Sequence, residues 1–312
     1  GTFFALMATG MNSFLIAQGF SGLGMATVML GAVLNIILDP IFIFGLHLDV
    51  AGAALATVLS QMASCAFVLL SLRRKRMPVR LRWGRMELHI VRRVLAFGLS
   101  PFLIIATDSI LLIVLNTVLQ RYGGPELGDT LVTCATIVQS YLLLITMPMG
   151  GLTLGSQPVI SFNYGARKYS RVRAALRSAI TVGAGVAVFA FVLFQLFPRE
   201  IIAIFGKGAD EYFEFGVKFF RIFLFFTWLN CLQPIASMFF TSIGKSFKGA
   251  FLSLTRQILF LLPPLIVLPL FWGIDGMLWA GPFADLLSAV AAIIMIIVEL
   301  RIMKREEADF KG

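Results

Sequence analysis

The chain has 312 residues, 59% hydrophobic and 13% charged, with a mean hydropathy of +0.91. Soluble domains carry about 25% charged residues, so the composition excludes a soluble catalyst and marks an integral membrane protein. The formal net charge of +10 does not point to nucleic acid, because the basic residues form short clusters between apolar runs, the pattern of membrane topology.

Runs able to cross a hydrocarbon core of about 30 Å fall at 1–18, 24–46, 51–72, 95–120, 130–160, 176–197, 214–242, 249–272 and 276–300. These nine spans are numbered first to ninth. The first opens at Gly1 without a basic leader region or cleavage site and reads as a truncated start. It carries Asn12. The second contains LNIILDPIFIF, residues 34–44, in which Asn35 and Asp39 interrupt an apolar run. Four residues apart, they share one helix face, and Pro40 removes a backbone donor beside the carboxylate. A charge at that depth costs roughly 2.5–3.5 kcal/mol on insertion scales, which argues for a function. Thr57, in the third span, re-enters to a similar depth after a short outer loop, and Asn12 is expected at that level or slightly deeper. A carboxylate, two amide oxygens and a hydroxyl suit a sodium ion, and the carboxylate alone suits a proton. Asn12 and Thr57 taken singly also fit plain interhelical hydrogen bonding.

A polybasic linker, 73–94, follows the third span, and its end, MELHIVRRVL, has the spacing of an interfacial helix on anionic lipid. Asp108 in the fourth span reads either as a proton or substrate-cation site or as a neutral partner of a hydroxyl such as Thr107. The fifth span is overlong and rich in Pro and Gly, from Pro148 to Pro158, and is expected to kink or partly unwind. Met147 and Met149 are candidates for a soft pocket wall, and Gln157, Asn163 and Tyr164 for setting the turn that follows. Gln233 beside Pro234 suggests a kink in the seventh span. Asp285 in the ninth is a third buried acid, either functional or bonding at a kink beside Pro282, while Glu299 is expected to snorkel to the interface. The three cysteines lack metal or redox spacing, and both histidines, His47 and His89, fall in loops.

Most Lys and Arg lie in alternate loops: 73–93, 167–177, the group Lys245, Lys248 and Arg256, and the tail. The positive-inside rule places these loops and the C-terminus in the cytoplasm. An internal repeat is also visible. VAGAALATVLSQ (50–61) resembles IDGMLWAGPFAD (274–285), with Gly52 opposite Gly276 and Asp39-Pro40 opposite Pro263-Pro264. The glycine-containing turns QGFSG (18–22) and SIGKS (242–246) match within one residue. The second copy keeps the proline and drops the acid and amide. Two like bundles related by an axis along the membrane normal follow from the repeat: 1–72 as the C-terminal half of the first lobe, 73–94 as linker, 95–305 as the second lobe and 306–312 as a cytoplasmic tail.

The runs 12–61, 157–166 (QPVISFNYGA), 233–257 (QPIASMFFTSIGKSFKGAFLSLTRQ) and 280–288 (AGPFADLLS) resemble the multidrug and toxic compound extrusion (MATE) transporters, bacterial multidrug-efflux branch. The resemblance implies an all-α integral membrane fold of twelve helices in two six-helix lobes, of which this chain supplies nine. It implies an antiporter, not an enzyme, that exports cationic amphipathic drugs from the bacterial inner membrane by alternating access. The coupling ion is sodium or a proton, with no other cofactor, and the protein is expected to be monomeric in lipid. The family's first-lobe cation site carries over to Asn12, Asn35, Asp39 and Thr57. Asp108 falls near an acid that many members place on the first helix of the second lobe. AQGFSGLG departs from the family where an Arg and further polar residues are common. A lipid-linked oligosaccharide flippase of related fold would want a cationic cavity, and a non-transporting scaffold would leave Asp39, Asp108 and Asp285 without purpose.

Overall fold

The computed structural model describes residues 1–75, 77–81, 84, 87–205 and 210–311, which are almost entirely helical. The chain divides into two compact units, Gly1–Glu87 and Leu88–Gly312. Helices α1 (Thr2–Ala17), α2 (Ser21–Pro40) and α3 (Asp49–Leu72) form the first. The second contains α4 (Leu88–Gly165, turned back at Gly124), α5 (Tyr169–Leu196), α6 (Pro198–Phe205), α7 (Asp210–Phe223), α8 (Leu232–Ser242), α9 (Ser246–Leu254) and α10 (Leu262–Lys311, turned back at Gly273). Among the described residues six runs are long and apolar enough to cross a membrane. A seventh is the pair Phe213–Phe223 and Thr227–Ser242, bent by 42°. Splitting the run Ser246–Ala308 at Gly273, and adding the shorter apolar Thr2–Ala17, recovers nine segments at the nine expected places.

The repeat has a physical counterpart. In the α1–α2 turn the Gly19 N–H bonds the Ile16 carbonyl at 3.0 Å and the Phe20 N–H bonds that of Leu15 at 3.0 Å. The α8–α9 turn repeats this with Gly244 on Thr241 at 3.1 Å and Lys245 on Phe240 at 2.8 Å. This pairing caps a helix C-terminus when one residue takes a left-handed conformation; Gly19 and Gly244 do so at φ 86° and 78°, where glycine is free of strain. At the other end of each hairpin a second matched pair governs packing. A Cβ on Gly52 would lie 2.9 Å from the Phe42 carbonyl, and one on Gly276 would overlap the Leu268 carbonyl. Only a residue without a side chain lets these backbones close.

Each unit also has a stretch of π-helix beside its membrane proline. Pro40 ends α2 without an N–H for the Ile36 carbonyl, and Ile41–Gly45 widens to π geometry, with the Leu46 N–H on the Ile41 carbonyl at 3.0 Å. In the second unit the π segment Thr255–Leu261 precedes Pro263-Pro264. A ring that clashes with the carbonyl four residues back is relieved by the wider turn upstream.

Helix packing in the first unit is spare. Leu15, Val68, Leu72 and Met77 form its buried centre near the basic end, and α2 meets α3 where Ser64 Oγ donates to the Thr27 carbonyl at 3.0 Å opposite Gly31. The second unit has two larger cores. One gathers Phe194, Phe219, Phe220 and Phe223 with Tyr141, whose hydroxyl donates to the Ile201 carbonyl at 3.1 Å. The other centres on Ile160, Ile235, Phe239 and Phe240.

Several local expectations are corrected. The fifth span keeps helical backbone from Gly128 to Gly165, because each Pro removes only one bond from a long, packed helix. The seventh span breaks upstream of Gln233-Pro234, with a 3₁₀ turn at Thr227–Leu229. Pro234 then sits in the first turn of α8, where its missing donor has no intrahelical partner to lose. The linker's basic Arg76, Arg82 and Arg85 lie outside the described residues. Its end is helical from Leu88 and runs on into the fourth span, whose membrane-crossing stretch starts at Phe102. Glu299 does not snorkel: its side chain is 1% exposed and held by Lys245 and, at 2.9 Å, Lys248.

Candidate functional site

In the first unit α2 carries Asn35 and Asp39 one turn apart, and α3 returns Thr57 beside them. Asn35 Nδ2 donates to Asp39 Oδ1 at 3.3 Å and to Thr57 Oγ1 at 3.4 Å. Thr57 gives its own proton to the Ala53 carbonyl at 2.9 Å, so its lone pairs face outward from that bond. The two Asn35 contacts are long, ordinary N–H···O distances being about 2.7–3.2 Å. Asn35 and Asp39 are half-buried and Thr57 is exposed. The group therefore offers a carboxylate, an amide oxygen and a hydroxyl oxygen, hard donors suited to a small cation or a proton. The wider π turn begins at Ile41, immediately after Asp39-Pro40.

Asn12 is not brought to this group. Its Oδ1 is buried, without a hydrogen-bond partner among the described residues, and 3.0 Å from where a Cβ on Gly24 would stand. Gly24 precedes Asn35 by eleven residues on one continuous α-helix, about 16 Å of rise. The start of α1 agrees: Gly1 sits against Val58, next to Thr57, so Asn12 lies far down the helix toward the basic end.

In the second unit Asp108 and Asp285 border two adjoining cavities. The larger, about 820 Å³, is lined by Asp108, Met149, Gln157, Asn230, Arg256 and Gln257 among others. The smaller, about 460 Å³, shares Asp108, Asn230 and Arg256 and adds Asp285. Thr107 does not partner Asp108, for its hydroxyl turns back to the Leu103 carbonyl at 2.7 Å. Asp108 Oδ1 instead accepts from Gln257 Nε2. Asp285 does not bond at a kink beside Pro282; its Oδ1 accepts from Arg256 Nη2 at 2.6 Å and Nε at 3.2 Å. A polar ladder continues along the larger cavity, from Gln233 to Ser253 at 2.8 Å and from Ser253 to Ser237 at 3.1 Å. Two buried atoms among its lining residues, Gln257 Oε1 and Thr227 Oγ1, have no hydrogen-bond partner among the described residues.

Two of these residues escape the sequence reading. Arg256 looks like a loop cation beside Lys245 and Lys248, yet it stands twelve residues beyond Gly244, about 18 Å of helical rise and too deep to reach an interface. Counting rise from the turn glycine is the signal that finds it, and Gln257 comes with it. Gln157 lines the larger cavity, whereas the sequence assigns it to the following turn. Of the two methionines Met149 faces the cavity, while Met147 is exposed on the outside of the unit.

The MatE family model matches residues 103–266, just over half of the chain. The chain belongs to the MatE family. The matched stretch contains Asp108, Arg256 and Gln257; Asp39 and Asp285 lie outside it. Among MatE relatives, the multidrug export protein MepA of Staphylococcus aureus strain MSSA476 is 23% identical over 296 residues. The alignment covers 94% of this chain and 64% of that protein, so the chain spans less than two thirds of the curated relative's length. The solved structure of the MATE multidrug transporter DinF-BH is 33% identical, with a TM-score of 0.85 over 95% of this chain and 66% of its own. A crystal structure of MATE in complex with MaL6 gives a TM-score of 0.87 at 23% identity, over 98% of this chain and 68% of its own. The MatE fold is thus present in both units, and the protein is a multi-pass membrane protein.

Proposed function

We propose that this MatE protein is a cation-coupled antiporter that exports amphipathic cationic compounds from the bacterial inner membrane by alternating access. The observation that carries the reading is the contact of Asp39, Asn35 and Thr57 beside the α2 π turn. Sodium or a proton is the coupling ion and binds at these three side chains. The basic turns and the C-terminus face the cytoplasm, 1–72 belongs to one lobe and 95–305 to the other, and the protein works as a monomer in lipid. The substrate's positive charge is taken in the second-lobe cavity at Asp108.

An antiporter requires that ion and substrate prefer different conformations, for a ligand with equal affinity for both shifts nothing. The Asp39 group is built for this. Its hydrogen bonds are long, its acid is hydrogen-bonded among the described residues only to a neutral amide, and the backbone beside it is already off the regular α-helix. Ion binding draws the three oxygens together and resets the π turn that follows Pro40. Cells expressing the Asp39→Asn protein are expected to lose export of a cationic dye at unchanged protein level. Export at the wild-type rate in that variant would falsify the proposal.

A further inference from the structure

The larger cavity of the second unit has two charged lining residues, Asp108 and Arg256. Both also line the smaller cavity, where Asp285 joins them. One guanidinium thus stands among two carboxylates, and its choice of partner sets the charge that a ligand meets. If it paired with Asp108, the larger cavity would present a compensated ion pair. The structure shows the other choice. Two Arg256 N–H groups converge on Asp285 Oδ1, at 2.6 Å and 3.2 Å, with the Asp285 side chain 7% exposed. Asp108 receives the neutral Gln257 amide, from the residue next to Arg256 in the chain. The π segment Thr255–Leu261 carries both side chains, so the two partners separate at one widened turn.

We propose that Asp285 is a positioning residue that holds Arg256 on itself and so leaves the Asp108 carboxylate to a cationic ligand in the larger cavity. The inference rests on the reading of that cavity as the substrate site. With both acids ionised the cluster carries one net negative charge, and this charge stays with Asp108 only while Asp285 retains the guanidinium. In a site drier than bulk water a carboxylate without its own cation attracts a ligand cation strongly, whereas one already paired does not. The buried Gln257 Oε1 and Thr227 Oγ1, unpartnered among the described residues, add acceptors on the same wall. A donor-bearing ligand satisfies such acceptors. Removing the Asp285 charge frees Arg256 to swing to Asp108 and fill the position that the ligand's charge takes.

The test measures binding of two xanthene dyes of equal size, one monocationic and one uncharged, to purified protein in detergent by fluorescence polarisation. Asp285→Asn is expected to weaken the cationic dye about tenfold or more and to leave the uncharged dye within about twofold. The double variant Asp285→Asn with Arg256→Gln is expected to return the cationic dye to within about threefold of wild type, a rescue that a merely structural role for Asp285 does not give. Unchanged cationic-dye binding in Asp285→Asn overturns the inference, as does a double variant that stays as weak as the single one. If the single variant binds neither dye because it does not fold, the double variant decides alone. Binding of both dyes supports the inference, and loss of the cationic dye with the uncharged dye retained overturns it. Failure of the underlying reading looks different: Asp108→Asn then binds the cationic dye as wild type does.

Discussion

The two units each set a π turn beside the proline of one repeat, and equip it oppositely. In the first, Asp39 accepts, among the described residues, one long bond from a neutral amide, and the π turn follows Pro40. In the second, the matching position is Pro263, the π turn precedes it, and it carries Arg256 and Gln257, which occupy Asp285 and Asp108. A carboxylate with neutral neighbours is left to recruit its own counter-ion. A guanidinium held on one of two carboxylates sets the charge of the cavity that the other one lines. The same backbone device thus serves ion binding in one unit and a charged wall in the other.

That contrast can be broken most forcefully at the basic end of the second unit, in a buried charge cluster that the described residues of the first unit do not repeat. Glu299 is buried against Lys245 and Lys248, and removing both cations strands its charge. Lys245→Met with Lys248→Met is expected to cost about 2–4 kcal/mol, somewhat below the scale for breaking a fully buried pair because both lysines are partly exposed, read as a fall in thermal unfolding temperature in detergent. Adding Glu299→Gln should recover most of the loss. If the two-lysine variant melts like wild type, the pair does not hold α9 to α10.

The repeat itself is sharpened by the matched glycines. Gly52→Val and Gly276→Val force a side chain against the Phe42 and Leu268 carbonyls and are each expected to cost about 1–3 kcal/mol, by the same melting measurement. Comparable losses support equivalent hairpins. A loss at only one of the two shows that the likeness is confined to sequence. A smaller effect is expected at the α2–α3 contact. Ser64→Ala removes the bond to the Thr27 carbonyl and should cost about 1 kcal/mol. A change much beyond that would mean the first unit depends on this contact more than on its Leu15 centre.

Much of this was legible before any coordinates. Hydropathy placed the nine segments, because a backbone in lipid has few options besides helix. The four-residue spacing of Asn35 and Asp39 put them on one face, and the short 45–48 connection brought Thr57 back to them. Asn12 could not be levelled in the same way. Its helix carries no charged residue to mark depth, and the contacts of Gly1 with Val58 and of Asn12 with Gly24 reveal the offset. Buried acids were visible as residue types, but their partners were not. Arg256 and Gln257 reach Asp285 and Asp108 from 29 and 149 residues away in the chain, and a pairing at such separation leaves no periodic trace. The break in the seventh span, set upstream of Pro234 at Thr227–Leu229, was likewise invisible, since it is placed by packing as well as by the proline.

The most direct measurement concerns Asp39. Protein reconstituted into vesicles is loaded with a cationic dye, and dye movement is followed on imposing a sodium or a pH gradient, for wild type and Asp39→Asn. The wild type is expected to respond to one of the gradients, and the variant to lose that response by about tenfold or more, within the ordinary range of coupling between sites, while still binding the dye. Gradient-driven movement that persists unchanged in Asp39→Asn contradicts the assignment of Asp39 as the coupling carboxylate.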